Sequence, residues 1–174
     1  CNLAALPRVY DGSFGVTGVG FALLFALHGT GIVVGQLVNR RLIPVLGTVP
    51  AMLVANGVLI LSAALMVLFT LIGWINAYLM TTMLILFATG YLVVFSNASA
   101  LVLDPHGDIA GFAAAIFGVA SQIGAALIVS VLVIFAGGSA LAYSFLLLCV
   151  CVSTFLLIAW WHFRHGNGRA IRPL

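Results

Sequence analysis

The sequence predicts an all-α integral membrane protein with about five transmembrane helices. Hydrophobic residues make up 64% of its 174 residues and charged residues only 5%, whereas a soluble domain is about half apolar and a quarter charged. Five apolar stretches are each long enough to cross the hydrocarbon core of a bilayer, which takes about 20 helical residues. These runs are continuous and lack the alternation of membrane β-strands, so helices are predicted rather than a barrel.

The five predicted spans follow one another closely along the chain. The first ends at the polar triplet Asn39-Arg40-Arg41, and the third ends at a loop over residues 104–108. Each connection is short and contains Gly, Pro, Asn or Asp, so consecutive helices are expected to be antiparallel neighbours. The predicted spans cover residues 16–38, 49–73, 77–103, 109–135 and 140–163.

The distribution of arginine orients the chain in the membrane. Five of the six arginines lie on one side of the predicted bundle, and the positive-inside rule places that side in the cytoplasm. The N-terminus is then outside and the C-terminus cytoplasmic, so we expect a further helix upstream. Residues 1–13 are predicted to be the end of that truncated helix and an extracytoplasmic loop, residues 14–163 a five-helix transmembrane bundle, and residues 164–174 a cytoplasmic polar tail. The five arginines are Arg40, Arg41, Arg164, Arg169 and Arg172.

Several functional classes find no support in the sequence. The three acids, Asp11, Asp104 and Asp108, all lie outside the apolar runs, so the predicted spans contain no carboxylate for a proton relay. We find no phosphate loop with Lys, no metal-ligand cluster and no nucleophile–base–acid set, so neither an enzyme nor a metal site is predicted. The net charge of +3 comes from loop arginines. It indicates membrane orientation, so no nucleic-acid partner is expected.

One face of the first span combines small and polar residues at helical spacing. Gly31 and Gly35 form a GxxxG pattern, which allows two helix backbones to approach closely. His28 lies near mid-membrane, and two interpretations of it remain open. It is hydrogen-bonded within the bundle, or it lines a polar cavity where it contacts substrate or changes its protonation. The residues of this face are Leu24, His28, Gly31, Gly35 and Asn39.

The fourth span carries a small-residue stripe that covers about a third of its circumference. We expect this face either to pack closely against another helix or to line a cavity, with Ile116 and Ile123 on the opposite face toward lipid. Gln122 is the polar member at depth, and its amide is a packing contact in the first case and a cavity group in the second. The stripe consists of Gly111, Ala114, Ala115, Gly118, Ser121, Gln122 and Ala125.

A distinctive series of residues surrounds the connection between the third and fourth spans. Residues 96–101 read Ser-Asn-Ala-Ser-Ala-Leu, residues 104–107 read Asp-Pro-His-Gly, and residues 110–114 read Ala-Gly-Phe-Ala-Ala. Gly118 and Gln122 follow. This series resembles a cytoplasmic loop of the bicyclomycin/chloramphenicol-resistance (Bcr/CflA) drug-efflux transporters of the major facilitator superfamily.

The first span resembles the eighth helix of the same family. Residues 21–27 read Phe-Ala-Leu-Leu-Phe-Ala-Leu, followed by Gln36 and by Asn-Arg-Arg at 39–41. The chain departs from the family pattern at His28, where Asn is expected, and at Ala114, where Ser is usual. These departures place one or two polar contacts of the family in doubt.

The resemblance implies that the five spans are the eighth to twelfth helices of a twelve-helix transporter. The chain would be the C-terminal half of a major facilitator, lacking most of its first helix, in the bacterial cytoplasmic membrane. Such a transporter exchanges a drug-like compound for protons by alternating access between two six-helix halves. The implied partners are membrane lipid, a small drug-like substrate and the N-terminal half of the same transporter. No cofactor is implied apart from the coupling protons, and the family's coupling acids belong to the other half.

The resemblance also implies roles for particular residues. Phe117 would be a stacking surface for a flat substrate. The candidates for the substrate cavity are His28, Thr89, Phe117 and Gln122. The candidates for helix packing follow from residue size and helical spacing rather than from the resemblance, and they are Gly31, Gly35, Gly111, Ala114 and Gly118. The residues expected at the cytoplasmic gate and loop are Asn39, Arg40, Asn97, Pro105 and His106.

Two alternatives to an active exporter remain open from the sequence. A small non-transporting membrane subunit would bind partner helices through Gly31, Gly35 and the small-residue stripe, and would be a complete unit by itself. A truncated transporter would be inactive, because half of an alternating-access protein has no opposing wall.

Overall fold

The computed structural model describes residues 2–136 and 138–165, which form helices joined by short turns and contain no strand. The helices are α1 (Asn2–Phe14), α2 (Gly18–Leu46), α3 (Thr48–Leu71), α4 (Ala77–Leu103), α5 (Ala110–Ala136) and α6 (Ala140–His165), and a 3₁₀ turn at Asp104–Ile109 joins α4 to α5. Helices α2 to α6 each contain a segment long and apolar enough to cross a membrane. The predicted all-α membrane class and its five spans are therefore confirmed. Arg169 and Arg172 of the predicted tail lie outside the described residues.

Two helix boundaries differ from the sequence prediction. α2 does not end at the Asn-Arg-Arg triplet but continues to Leu46, because arginine is a good helix former and its charge ends an apolar run without breaking a helix. α2 ends instead before Gly47, whose φ of 81° suits a residue without a side chain. The stretch predicted as a loop at 104–108 is a 3₁₀ turn. α4 begins where expected, after Asn76, whose side-chain oxygen accepts a 2.8 Å hydrogen bond from the Leu79 N–H.

The contacts between helices follow a repeating arrangement. α2 packs along α4, α3 packs against α4 and α6, α5 contacts α1, α4 and α6, α1 contacts α6, and α2 contacts α3. Tyr10 joins α1 to α2 through a ring contact with Phe21 at 5.5 Å. Its hydroxyl joins α1 to α4 by a 2.6 Å hydrogen bond with Thr81 Oγ1. When α1, α2 and α3 are exchanged for α4, α5 and α6, each pair of touching helices becomes another pair of touching helices, and the α2–α4 and α3–α4 contacts are much more extensive than their counterparts α1–α5 and α1–α6.

That exchange also reverses the direction in which each helix runs. Consecutive helices are joined by short turns and run in opposite directions. Each helix of α1–α3 is therefore antiparallel to its counterpart three helices later in the chain. α2 and α4 run in parallel, since Gly31 lies against Ile85 and Gly35 lies further along against Thr89. Inverted three-helix repeats produce a set of helix contacts of this kind.

Glycines lie at the closest approaches between helices. A Cβ added to Gly35 of α2 would lie 2.7 Å from the Thr89 carbonyl oxygen of α4. A Cβ added to Gly90 of α4 would lie 2.8 Å from the Ala55 carbonyl oxygen of α3. Small residues therefore bring the backbone of α4 against both α2 and α3. Close backbone packing of this kind is typical of membrane helices, because no hydrophobic effect drives them together within lipid.

Buried side chains concentrate between α1, α3, α4 and α6. Leu6, Met66, Met80 and Tyr143 come one from each of these helices and are at most 1% exposed. α5 has no buried residue among the side chains that the structure describes. Its apolar residues, such as Leu127 at 65% exposure, are suited to contact with lipid or with another helix.

Candidate functional site

The parallel contact between α2 and α4 carries most of the polar groups predicted to be functional. The buried residues of α2 are Leu24, His28, Gly31, Gly35 and Asn39, the same five that share a face by helical spacing. On α4, Thr89 and Asn97 meet this face with direct hydrogen bonds. We call this contact the α2–α4 seam.

Thr89 connects the two helices at the centre of the seam. Its hydroxyl lies 3.1 Å from the Gly31 carbonyl oxygen and 3.0 Å from the Ile85 carbonyl oxygen of its own helix. A hydroxyl has one proton, so these two acceptors share it. Thr89 also lines an apolar cavity of about 60 Å³ between α2, α3 and α4. That volume suits about two water molecules, and the Thr89 hydroxyl itself is engaged in the contact between α2 and α4.

His28 lies one turn before Gly31 in the same seam. It is 9% exposed, beside the backbone carbonyl of Leu84. Its ring lies 5.9 Å from the Phe25 ring, and its Nδ1 atom is buried without a hydrogen-bond partner. A buried polar atom without a partner costs free energy. The seam therefore holds the His28 ring in place but leaves its Nδ1 atom without a hydrogen-bond partner.

Phe117 and Gln122 lie on α5, away from the seam. The Phe117 ring lies 6.0 Å from the Phe95 ring of α4, and Phe95 stacks on Tyr91 at 5.7 Å with an interplanar angle of 19°. Tyr91 is 50% exposed and Phe95 is 40% exposed, and Gln122 is exposed as well. We call Tyr91, Phe95 and Phe117 the aromatic wall. Among the described residues, no hydrogen bond or ring contact joins this wall to His28 or Thr89.

Tyr91 and Phe95 are functional candidates that the sequence prediction missed. Their spacing of four residues places two aromatic rings on one face of a membrane span. That spacing was a usable signal, because aromatic side chains provide stacking surfaces. It was overlooked because lipid-facing positions in membrane helices are often aromatic as well.

The predicted packing role of Gly111, Ala114 and Gly118 is not found within the described chain. Gly111 and Ala114 are exposed, and a Cβ added to Gly111 or Gly118 meets no atom within 4 Å. α1, which contacts α5, has 13 residues and α5 has 27, which correspond to about 20 Å and about 40 Å. The small-residue stripe is therefore largely exposed, with its first part from Gly111 to Ala115 open and Gly118, Ser121 and Ala125 half-buried.

The residues predicted for the cytoplasmic gate are partly brought together. Asn97 donates a 2.7 Å hydrogen bond through Nδ2 to Asn39 Oδ1 and a second, of 2.8 Å, to its own helix at the Val93 carbonyl oxygen. Arg40 is exposed on α2 and Pro105 is exposed in the 3₁₀ turn. His106 belongs to the same turn, and its side chain lies outside the described part of the structure.

Fold and site together define a multi-pass helical membrane protein with a polar seam on one side of α4 and an aromatic wall on the other. Among the described residues, no group of three or more His, Cys, Asp or Glu side chains is placed to hold a metal ion. No protein-family model, no curated protein and no solved structure matches the chain.

Proposed function

We propose that the chain is the C-terminal part of a proton-coupled multidrug efflux transporter that works by alternating access. The observation that carries this proposal is the set of helix contacts that survives exchange of α1–α3 for α4–α6. Many secondary transporters are built from inverted repeats, because two equivalent but oppositely directed units can open alternately to either side of the membrane. A scaffold that only binds partner helices has no need of this arrangement.

The aromatic wall supports a drug-like substrate. Tyr91, Phe95 and Phe117 present aromatic faces, and the exposed Gln122 lies on the same helix as Phe117. Binding sites for small molecules combine aromatic surface with a few polar groups that fix orientation. In the proposed transporter this wall faces the central cavity, and the N-terminal half supplies the opposite wall.

The Asn39–Asn97 hydrogen bond supports a gating role for the α2–α4 seam. It links the two helices at the end of the bundle that leads into the 3₁₀ turn. Both residues are almost fully buried, at 6% and 2% exposure, so the pair holds α2 and α4 together at that end. In the proposed mechanism α2 and α4 move as one body when the cytoplasmic side opens.

The proton-coupling groups are proposed to lie mainly in the other half of the transporter. Asp11, Asp104 and Asp108 lie outside the candidate membrane segments. His28 is the histidine placed within a span by both spacing and burial, and its unpartnered Nδ1 makes it a candidate for contact with substrate or a proton.

Substitution of Gln122 tests whether its amide belongs to the substrate cavity. In the complete transporter, expressed from its gene with the upstream reading frame intact, Gln122→Ala is expected to lower the efflux rate of a planar fluorescent dye several-fold, because the cavity loses its orienting amide. The matched control is Ile123→Ala, since Ile123 is the adjacent residue and is 57% exposed on a different face. The measurement is dye efflux from energised cells. Equal rates for both variants would remove Gln122 from the substrate site.

The small-subunit alternative is favoured by one observation, the largely exposed small-residue stripe on α5. It predicts that the chain is stable as a complete unit and that partner helices cover Gly111 and Gly118. The DNA directly upstream distinguishes the two proposals. A reading frame that continues through about seven more apolar segments supports the exporter, and a start codon beside Cys1 supports the subunit or an inactive truncated transporter.

A further inference from the structure

Two arginines lie within the last part of α2 rather than after its end. Arg40 and Arg41 are followed by five more helical residues, and Val45 and Leu46 among them are exposed. Both arginines are exposed as well. Neither forms an ion pair with a residue that the structure describes. Two adjacent guanidinium groups therefore lie among exposed apolar side chains without a counter-charge from the residues that the structure describes.

The position of the arginines along α2 corresponds to the level of lipid phosphates. Arg40 follows the first residue of α2 by 22 positions, which is about 33 Å along a helix axis. The hydrocarbon core of a bilayer is about 30 Å thick. If α2 begins at one hydrocarbon boundary, the guanidinium groups lie at the opposite boundary, where phosphate groups of the lipids are found.

A groove on α2 extends from these arginines toward the membrane interior. It is lined by Val34, Leu37, Val38, Arg40 and Arg41, so one end is cationic and the rest is apolar. Leu37 is 60% exposed and Val34 is 45% exposed. Leu37 and Val34 lie about one and two turns before Arg41, so they follow the direction that an acyl chain takes below its phosphate.

We propose that this groove binds one anionic phospholipid, with the phosphate on Arg40 and Arg41 and an acyl chain along Leu37 and Val34. Guanidinium groups bind phosphate oxygens by charge-assisted hydrogen bonds. Basic residues at the cytoplasmic surface attract anionic headgroups, and the apolar lining distinguishes a lipid from a free phosphate ion. The bound lipid supplies the counter-charge that the described residues do not, and it does so whether or not the chain transports drugs.

The test measures lipid binding to the full chain in detergent by native mass spectrometry. We expect the unmodified protein to retain one phosphatidylglycerol at a concentration about tenfold lower than it needs for phosphatidylcholine. The double variant Arg40→Gln/Arg41→Gln should lose this preference. Arg164→Gln is the matched control, because Arg164 lies at the same side of the bundle and already stacks on Trp160 at 5.1 Å. It should keep the preference.

Three results would overturn the proposal. The first is an equal loss of preference in Arg164→Gln, which would show general attraction to positive charge. The second is an unchanged preference in the double variant. The third is displacement of the lipid by millimolar inorganic phosphate, which would indicate a phosphate site without a lipid. If the double variant fails to fold, the single variants Arg40→Gln and Arg41→Gln provide the same comparison, each with a partial loss expected.

Discussion

Gly31→Ala is expected to destabilise the folded bundle by about 3 kcal/mol, the upper end of the range for overpacked interiors. The new methyl group would overlap the Ile85 carbonyl oxygen of α4 and lie 2.9 Å from the Ala88 Cβ. A carbonyl oxygen belongs to the backbone and cannot rotate away, so α2 and α4 must separate along the seam. The measurement is the free energy of unfolding in mixed micelles, with circular dichroism as the readout of unfolding.

Gly29→Ala is the matched control for Gly31→Ala. Gly29 lies two residues earlier on the same helix, and an added Cβ there meets no atom within 4 Å. Because alanine has the higher helix propensity, this variant should be neutral or more stable by up to about 1 kcal/mol. Equal stability of the two variants would mean that α2 does not approach α4 through Gly31.

Asn56→Leu is expected to stabilise the protein, although it changes a fully buried residue. Asn56 of α3 is 0% exposed, and neither its Nδ2 nor its Oδ1 atom has a hydrogen-bond partner. Burying an unpaired amide costs about 1–3 kcal/mol, and leucine has the same branching without polar atoms. We expect a gain of about 1 kcal/mol, since the larger side chain offsets part of the benefit. The same unfolding measurement applies.

Asn97→Leu provides the contrast, because the same substitution there should destabilise the protein. The Asn97 amide donates to Asn39 Oδ1 and to the Val93 carbonyl oxygen. Its loss removes an interhelical hydrogen bond, and such bonds contribute about 0.6 to 1.7 kcal/mol in membrane proteins. The test is whether the free energy of unfolding rises in Asn56→Leu and falls in Asn97→Leu, whatever the size of each change. A loss of stability in Asn56→Leu would show that the Asn56 amide is paired in the membrane.

The membrane class and the five spans were predictable from the sequence. Hydropathy is a property of each segment by itself, since a run of about 20 apolar residues is long enough to span a bilayer whatever surrounds it. Helical spacing also grouped His28, Gly31, Gly35 and Asn39 on one face, because that face is fixed by the 3.6-residue turn. The structure buries all four.

The sequence did not allow a prediction of which helix packs against each of these faces. Small residues form a stripe on α5 as they do on α2, yet the α2 stripe packs against α4 and the α5 stripe is largely exposed. A small residue permits close approach but does not select the helix that approaches. The sequence led to packing roles for Gly31 and Gly111 alike, and the structure places only Gly31 at a close contact.

The sequence by itself determined that this chain is a helical membrane protein and which residues share a helix face. Only the tertiary structure decided that α2 pairs with the non-consecutive α4 and that Thr89 bonds to Gly31. Hydropathy and spacing act within a segment, whereas pairing depends on shape and hydrogen-bond geometry between segments far apart in the chain. The correspondence between α1–α3 and α4–α6 likewise becomes visible only in the tertiary structure, because it is defined by which helices contact each other.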